Sequence, residues 1–226
     1  MEKPVAPRRT YGRRSKPLTL GRKAAMGRLA EYEIQLEGMA AGTLDPNIFF
    51  PSGLAGKNKT VHLEIGCGTG EHVAAIAAAN PDDLFLAAEP YTTGVASLLK
   101  TVQENHLQNV RIYPDDGLAL LTALRAGGIA HAYLLFSDPW PKQRHHTRRF
   151  IQPETVAEFA RILRPGGTLL LASDDKPLVN WMLKHMQACA AFSPLPPPEN
   201  PIPTRYAQKA MAAGKPLFYL PFRRQP

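Results

Sequence analysis

From residue 61 onward, short apolar runs alternate with longer stretches in which apolar side chains recur at three- and four-residue intervals. An unbroken apolar run reads as a strand buried on both faces, and the three–four spacing reads as a helix with one buried stripe. Strands are therefore predicted at VHLEI (61–65), LFLAAEP (84–90), VRIYPDD (110–116), HAYLLFSDPW (131–140) and TLLLASDD (168–175). Helices are predicted between them. EHVAAIAAAN (71–80) stops at Asn80-Pro81, and Thr92 or Thr93 caps a helix with Val95, Leu98, Leu99 and Val102 on one face. GLALLTALRAGG (117–128) is a third helix. QPETVAEFARILRPGG (152–167) is a fourth, with Val156, Phe159, Ala160 and Leu163 as its stripe and a stop at Pro165-Gly166-Gly167. PLVNWMLKHMQACAAF (177–192) is the last. Strands alternating with helices imply an α/β fold whose mostly parallel sheet is wound on both faces. After a proline-rich loop at 194–203, PLFYLPF (216–222) predicts an antiparallel C-terminal edge strand.

Upstream of residue 61 the pattern weakens. Residues 27–39 predict a helix, and LDPNIFFPSG (44–53) a loop. Before them Arg8, Arg9, Arg13, Arg14, Lys16, Arg22, Lys23 and Arg28 face only Glu2. This segment, 1–28, is expected to be a basic arm attached to a single domain at 29–226, and reads either as a solvated tail or as a phosphate-binding arm. It has no apolar core of the kind a secretion signal needs, and no later run approaches a membrane span.

The 226 residues carry a net charge of +8, although hydrophobic content (44%) and charged content (20%) are ordinary. That excess points to an anionic partner, nucleic acid before membrane. Cys67 and Cys189 form neither a disulfide framework nor a metal-ligand spacing, so a cytoplasmic protein without a bound metal is expected, with no obligate protein partner.

The candidate chemistry lies where strands end. The first strand delivers Glu64 and opens into Gly66, Gly68 and Gly70. Glycine there permits positive φ and lets the backbone approach a ligand closely. A dinucleotide fingerprint needs glycine where Glu71 stands, which disfavours an NAD enzyme. Glu89 ends the second strand, Asp115-Asp116 the third, Asp138 the fourth and Asp174-Asp175 the fifth. Taken singly, each acid is an ordinary helix cap. In an open α/β sheet, however, strand ends share one rim, so the row becomes one site. Glu89, about 20 residues past the glycines, suits ribose hydroxyls. Asp116 suits an adenine amino group, and Glu64 the loop or a ligand ammonium. After Asp138 come Trp140 and a cationic run, Lys142, Arg144, His145, His146, Arg148 and Arg149. A carboxylate there can accept from guanine N1–H and N2–H₂, with Trp140 either stacking on the base or bracing the loop and the cations meeting a sugar–phosphate backbone.

The E-x-G-x-G-x-G arrangement resembles the first motif of Rossmann-like S-adenosylmethionine (SAM) methyltransferases. More specifically, LEIGCGTG, the strand-end Glu89, FSDPWPKQRHHTRR and the RRTYGRRSKPLT arm closely resemble the bacterial single-subunit tRNA (guanine-N7)-methyltransferase family. The resemblance runs essentially end to end. It implies a SAM-dependent methyltransferase fold and methyl transfer to N7 of guanine 46 in the tRNA variable loop. It also implies S-adenosyl-L-methionine contacts at Glu64, Glu89, Asp116 and Asp138 along with the glycine loop, substrate contacts at Lys142 and Asp174, and catalysis by Asp138. One tetrad departs: the family's Thr-Lys-aromatic-Glu is Thr204, Arg205, Tyr206 and Ala207 here. Thr204 and Arg205 remain candidates for substrate contact, and Ala207 carries none. The competing readings are a SAM enzyme acting on another nucleophile and an RNA-binding protein without catalysis.

Overall fold

The computed structural model describes residues 17–56 and 59–226. Most of the basic arm, residues 1–16, lies outside the described residues. The chain builds a seven-stranded sheet in the order β3-β2-β1-β4-β5-β7-β6. The strands are β1 Val61–Ile65, β2 Leu84–Ala88, β3 Val110–Tyr113, β4 Ile129–Leu135, β5 Leu163–Ser173, β6 Phe192–Pro194 and β7 Phe218–Arg224. The first five run parallel, and β7 pairs antiparallel with both β5 and β6. Helices α1 Leu20–Met26, α2 Glu71–Ala79, α3 Thr92–Glu104, α4 Gly117–Ala123, α5 Pro153–Ile162, α6 Lys176–Gln187 and α7 Arg205–Ala212 complete the fold.

Alternation along β2 shows why the sheet must be covered twice. Leu84, Leu86 and Ala88 belong to one core cluster with Leu120, Phe159 and Leu178; Phe85 and Ala87 belong to the other with Val73, Val95 and Leu98. All five β2 residues are fully buried, and each large one contributes about 1.5–3 kcal/mol by leaving water. The strand order reverses between β1 and β4, so the crevice above their carboxyl ends is where a ligand binds in such sheets.

Several expectations need correction. Residues 27–39 are not a helix. The chain leaves α1 at Gly27, makes a 3-10 turn at Leu29–Glu31, and then runs extended, with Ile34 N donating to Ile112 O at 2.8 Å and Ile112 N to Tyr32 O at 2.8 Å. Tyr32 and Ile34 are both buried, a period of two that a helix cannot satisfy. Helix α5 stops at Ile162 because Leu163 already pairs with Ile129; the Pro165-Gly166-Gly167 turn lies inside the β5 segment, with Gly166 at φ +77°. The C-terminal strand is antiparallel as expected, with the three-residue β6 beyond it at the rim. Helix α7, which is not among the predicted helices, follows the proline-rich loop. No helix among the described residues is long and apolar enough to cross a membrane.

Candidate active site

The loop after β1 is held by its neighbours. Gly66 N and Cys67 N donate to Ala88 O at 2.8 and 3.2 Å, which ties the loop to the end of β2. Gly66, Gly68 and Gly70 all adopt positive φ (+70°, +59° and +83°), so the three glycines are required by backbone geometry. Around a Cβ at Gly66 there is open space, whereas one at Gly70 would meet the Leu98 side chain at 2.5 Å. The first face is thus left free for a ligand, and the last is closed by packing.

Glu89 is the hinge of the arrangement. Its Oε2 accepts from Gly68 N at 2.8 Å and its Oε1 from Tyr91 N at 2.9 Å. The residue is buried, and burial pushes its carboxyl up from 4.5 to about 7; the two backbone N–H groups pull the other way, and the charges of Asp138 and Glu64 push further up. Both charges act on Glu89, which puts Glu64 and Asp138 within electrostatic reach of it. Cys67, buried between them, has its thiol driven well up, chiefly by burial and then by Glu89 and Glu64, so it is no nucleophile. Glu64 is buried and accepts from His72 Nδ1 at 2.8 Å. Gly94, at the start of α3, completes the packing: a Cβ there would stand 2.5 Å from Gly68 O and 2.7 Å from Glu89 Cγ.

Asp138 reaches the same mouth from the other side of the strand reversal. It is open to solvent, yet the surrounding protein desolvates its carboxyl enough to raise it. The turn that presents it is strained. Phe136 and Trp140 stand at φ +53° and +45°, in the left-handed region, at a cost of about 1–3 kcal/mol each. Phe136 N donating to Ala172 O at 2.8 Å and the Phe136–Tyr219 ring contact hold the turn from β5 and β7. Ser137 Oγ is buried and has no partner among the described residues.

The basic run Gln143–Arg148 forms a 3-10 segment with its own brace. Arg148 lies over the Trp140 ring at 4.9 Å and His145 meets that ring edge-on at 5.7 Å, so Trp140 props the loop. Below, Arg149 donates from Nε to Pro139 O at 2.9 Å and covers the Trp181 ring at 5.0 Å; Trp181 in turn donates to Ile151 O at 2.7 Å. Lys142 and Arg144 are exposed beside the mouth.

The remaining candidates fall into two groups. Asp116 accepts from Leu118 N at 3.1 Å as the cap of α4, and the Gly117 beside it is packed against Ile65 and Ala88, so this acid stands at the tips of β1 and β2. Asp174 follows β5, and α7 packs back towards the glycine loop. Lys215 Nζ donates to Asp174 at 2.9 Å, and Thr204 Oγ1 caps α7 by accepting from Ala207 N at 3.1 Å. Ala207 is fully buried, which places the tetrad's missing acid in a packing position. Arg205 and Tyr206 are exposed. Tyr206 lies close to the glycine loop, 3.8 Å from a Cβ at Gly68, and its phenol is raised by burial and then by Asp138 and Glu89. Sequence reasoning missed His72 and Gly94, and named Tyr206 within the tetrad without giving it a role. The only signal for His72 was a histidine in an otherwise alanine-rich helix.

A glycine loop, an acid after the next strand and another acid across the strand reversal define a Rossmann-like α/β methyltransferase fold. Among solved structures, the 16S rRNA methyltransferase KamB superposes with a TM-score of 0.59 at 16% identity, over 83% of this chain and 99% of that one. An rRNA methylase from Streptococcus thermophilus gives 0.54 at 15% identity, over 75% and 89%. Residues 58–220 match the family described as "Putative methyltransferase". The tRNA (guanine-N(7)-)-methyltransferase of Rhodospirillum rubrum is 40% identical across 100% of this chain and 91% of its own length. Those of Paramagnetospirillum magneticum and Agrobacterium fabrum are each 42% identical, over 80% and 74% of this chain and 78% and 75% of theirs. The chain belongs to the tRNA (guanine-N(7)-)-methyltransferase family.

Proposed function

We propose that the protein transfers a methyl group from S-adenosyl-L-methionine to N7 of guanine 46 in the variable loop of tRNA. The observation that carries this reading is the Glu89 carboxylate held against the glycine loop by Gly68 N and Tyr91 N at 2.8 and 2.9 Å, with Glu64 and Asp138 near enough to act on it and the braced cationic segment following Asp138. The residues suit the cofactor: positive-φ glycines leave open space at Gly66, and Glu89 offers a carboxylate. The loop 66–70, Glu64, Glu89 and Asp116 would hold it, and when bound it supplies an electrophilic methyl on a sulfonium. Acids around a cationic ligand, set in a protein of net charge +8, separate the cofactor site electrostatically from the RNA-facing surface.

Guanine N7 carries a lone pair and no proton, so no general base is needed. The protein's task is alignment, which can be worth about 7–11 kcal/mol when the reacting atoms are held at near-attack distance. Asp138 accepts from the guanine N1–H and N2–H₂ edge and favours the positive charge the base acquires. Lys142 and the neighbouring cations hold backbone phosphates, which fixes register without reading sequence. Asp174, Thr204 and Arg205 border the substrate as well.

Incubation with unmodified tRNA and methyl-labelled SAM, followed by nucleoside digestion and mapping, tests the reading. Label in 7-methylguanosine at position 46 is expected; label on an exocyclic amine, or none, contradicts it. Asp138→Ala should keep the fold and remove turnover, and near wild-type transfer by that variant would take Asp138 out of catalysis.

A further inference from the structure

Outside the crevice, a cavity of about 490 Å³ lies between α2 and α3. Ala74, Ala75 and Ala78 of α2 line one wall, and Ser97, Lys100 and Thr101 of α3 with its C-cap Asn105 line the other. Arg22 of α1, Arg205 of α7 and Thr69 of the glycine loop close its ends. Three cations from three different helices thus share one groove with a single acid, Glu71, which is paired with Thr69. Lys100 is positioned by its stem, whose Cε lies 3.6 Å from a Cβ at Gly21, and it also pairs with Glu104. Arg22 and Arg205 make no ion pair among the described residues.

We propose that this groove is a second track for the tRNA sugar–phosphate backbone, continuous with the methylation site through Thr69 and Arg205. The inference rests on the tRNA reading above. Two features select a backbone over a base or a small anion. The polar wall is already committed: Ser97 Oγ donates to Thr93 O at 2.8 Å, Thr101 Oγ1 to Ser97 O at 3.2 Å and Asn105 Nδ2 to Thr101 O at 2.8 Å. Both hydroxyls have thus spent their single donor on the helix backbone, which leaves one N–H of Asn105 as the amide or hydroxyl donor of that wall, too little to read base edges. The cations, by contrast, sit on the rim on long side chains, as suits a polyanion passing through, and the alanine wall lets a sugar approach closely. Contacts of this type position the nucleic acid without specifying sequence.

The test is the salt dependence of tRNA binding by the full chain carrying Arg22→Gln and Lys100→Gln together. Removing one cation–phosphate interaction should lower the slope of log K against log salt by about 0.8, so the double variant should fall by about 1.6. If the curves meet near 1 M salt, that slope difference corresponds to roughly 40-fold weaker binding near 0.1 M. SAM affinity should not change, which separates the effect from misfolding, and Arg22→Lys with Lys100→Arg should restore the slope. Should the double variant fail to fold, Arg22→Gln alone, on an exposed short helix, must still reduce the slope by about 0.8. Wild-type tRNA binding with an unchanged slope in these variants overturns the groove and leaves the methyltransfer reading standing. Failure of the wild-type protein to bind tRNA overturns both.

Discussion

Glu89 makes the proposed cofactor site sensitive to pH in a way that can be worked out from its surroundings. Burial lifts its carboxyl to about 7 in the free protein, so near neutrality it holds a proton part of the time. Its two oxygens already accept from Gly68 N and Tyr91 N, and a ribose hydroxyl arriving as a further donor favours the ionised form. One charge-assisted bond of about 1.5–3 kcal/mol would lower the carboxyl's value in the complex by about one to two pH units. Taking 1.5 units, SAM affinity should fall about tenfold between about pH 7.5 and pH 5.5, with about 0.7 proton released on binding near pH 6.25. Titration calorimetry in buffers of different ionisation enthalpy measures both quantities. Glu89→Gln should bind weakly and lose this pH dependence; any slope it retains belongs to Asp138, whose carboxyl is also raised, or to the ligand's own amine. Identical slopes for wild type and Glu89→Gln would refute the reasoning.

Three further outcomes follow from the same geometry. Glu89, raised from 4.5 to about 7, makes stability fall as pH rises through that window, whereas His62, lowered from 6.5 to about 4 by burial and then by His131, makes stability fall as pH drops from about 6.5 to 4. Each effect is roughly 3 kcal/mol, so they largely cancel between about pH 4.5 and 6.5; denaturant titrations should show stability rising with pH in Glu89→Gln and falling with pH in His62→Phe, and parallel curves would contradict this. Gly94→Ala should cost about 1–3 kcal/mol of stability and weaken SAM binding, because its Cβ displaces Gly68 O or Glu89; unchanged calorimetric affinity would show that the contact relaxes harmlessly. His72→Leu leaves the buried Glu64 without its 2.8 Å partner and should cost about 1–3 kcal/mol in urea unfolding, against no measurable change if Glu64 finds another donor.

Much of the core was legible because its signals are local. VHLEI and LFLAAEP read as doubly buried strands, and the acids at their tips needed only the rule that parallel strands end on one rim. What stayed hidden was tertiary. Residues 32–34 look helical only until one sees Ile34 and Tyr32 hydrogen-bonded to Ile112. Helix α7 has one weak signal, Thr204 after a proline, and its packing rests on Ala207 and Ala210, residues too small to mark a stripe. Trp140 could be read as base-stacking or bracing from the sequence; Arg148 and His145 against its ring decide for bracing. His72, Gly94 and Tyr206 matter because of what they touch, and contacts across 5 to 138 positions of sequence leave no periodicity to detect.

The arrangement is tested most directly by a crystal structure with S-adenosylhomocysteine, the product of methyl transfer. The ribose hydroxyls should lie within hydrogen-bond distance of Glu89, the amino-acid end beside Glu64 and the glycine loop, and the sulfur should face Asp138. A ligand seated instead in the groove between α2 and α3, with Glu64, Glu89 and Asp138 untouched, would contradict the account.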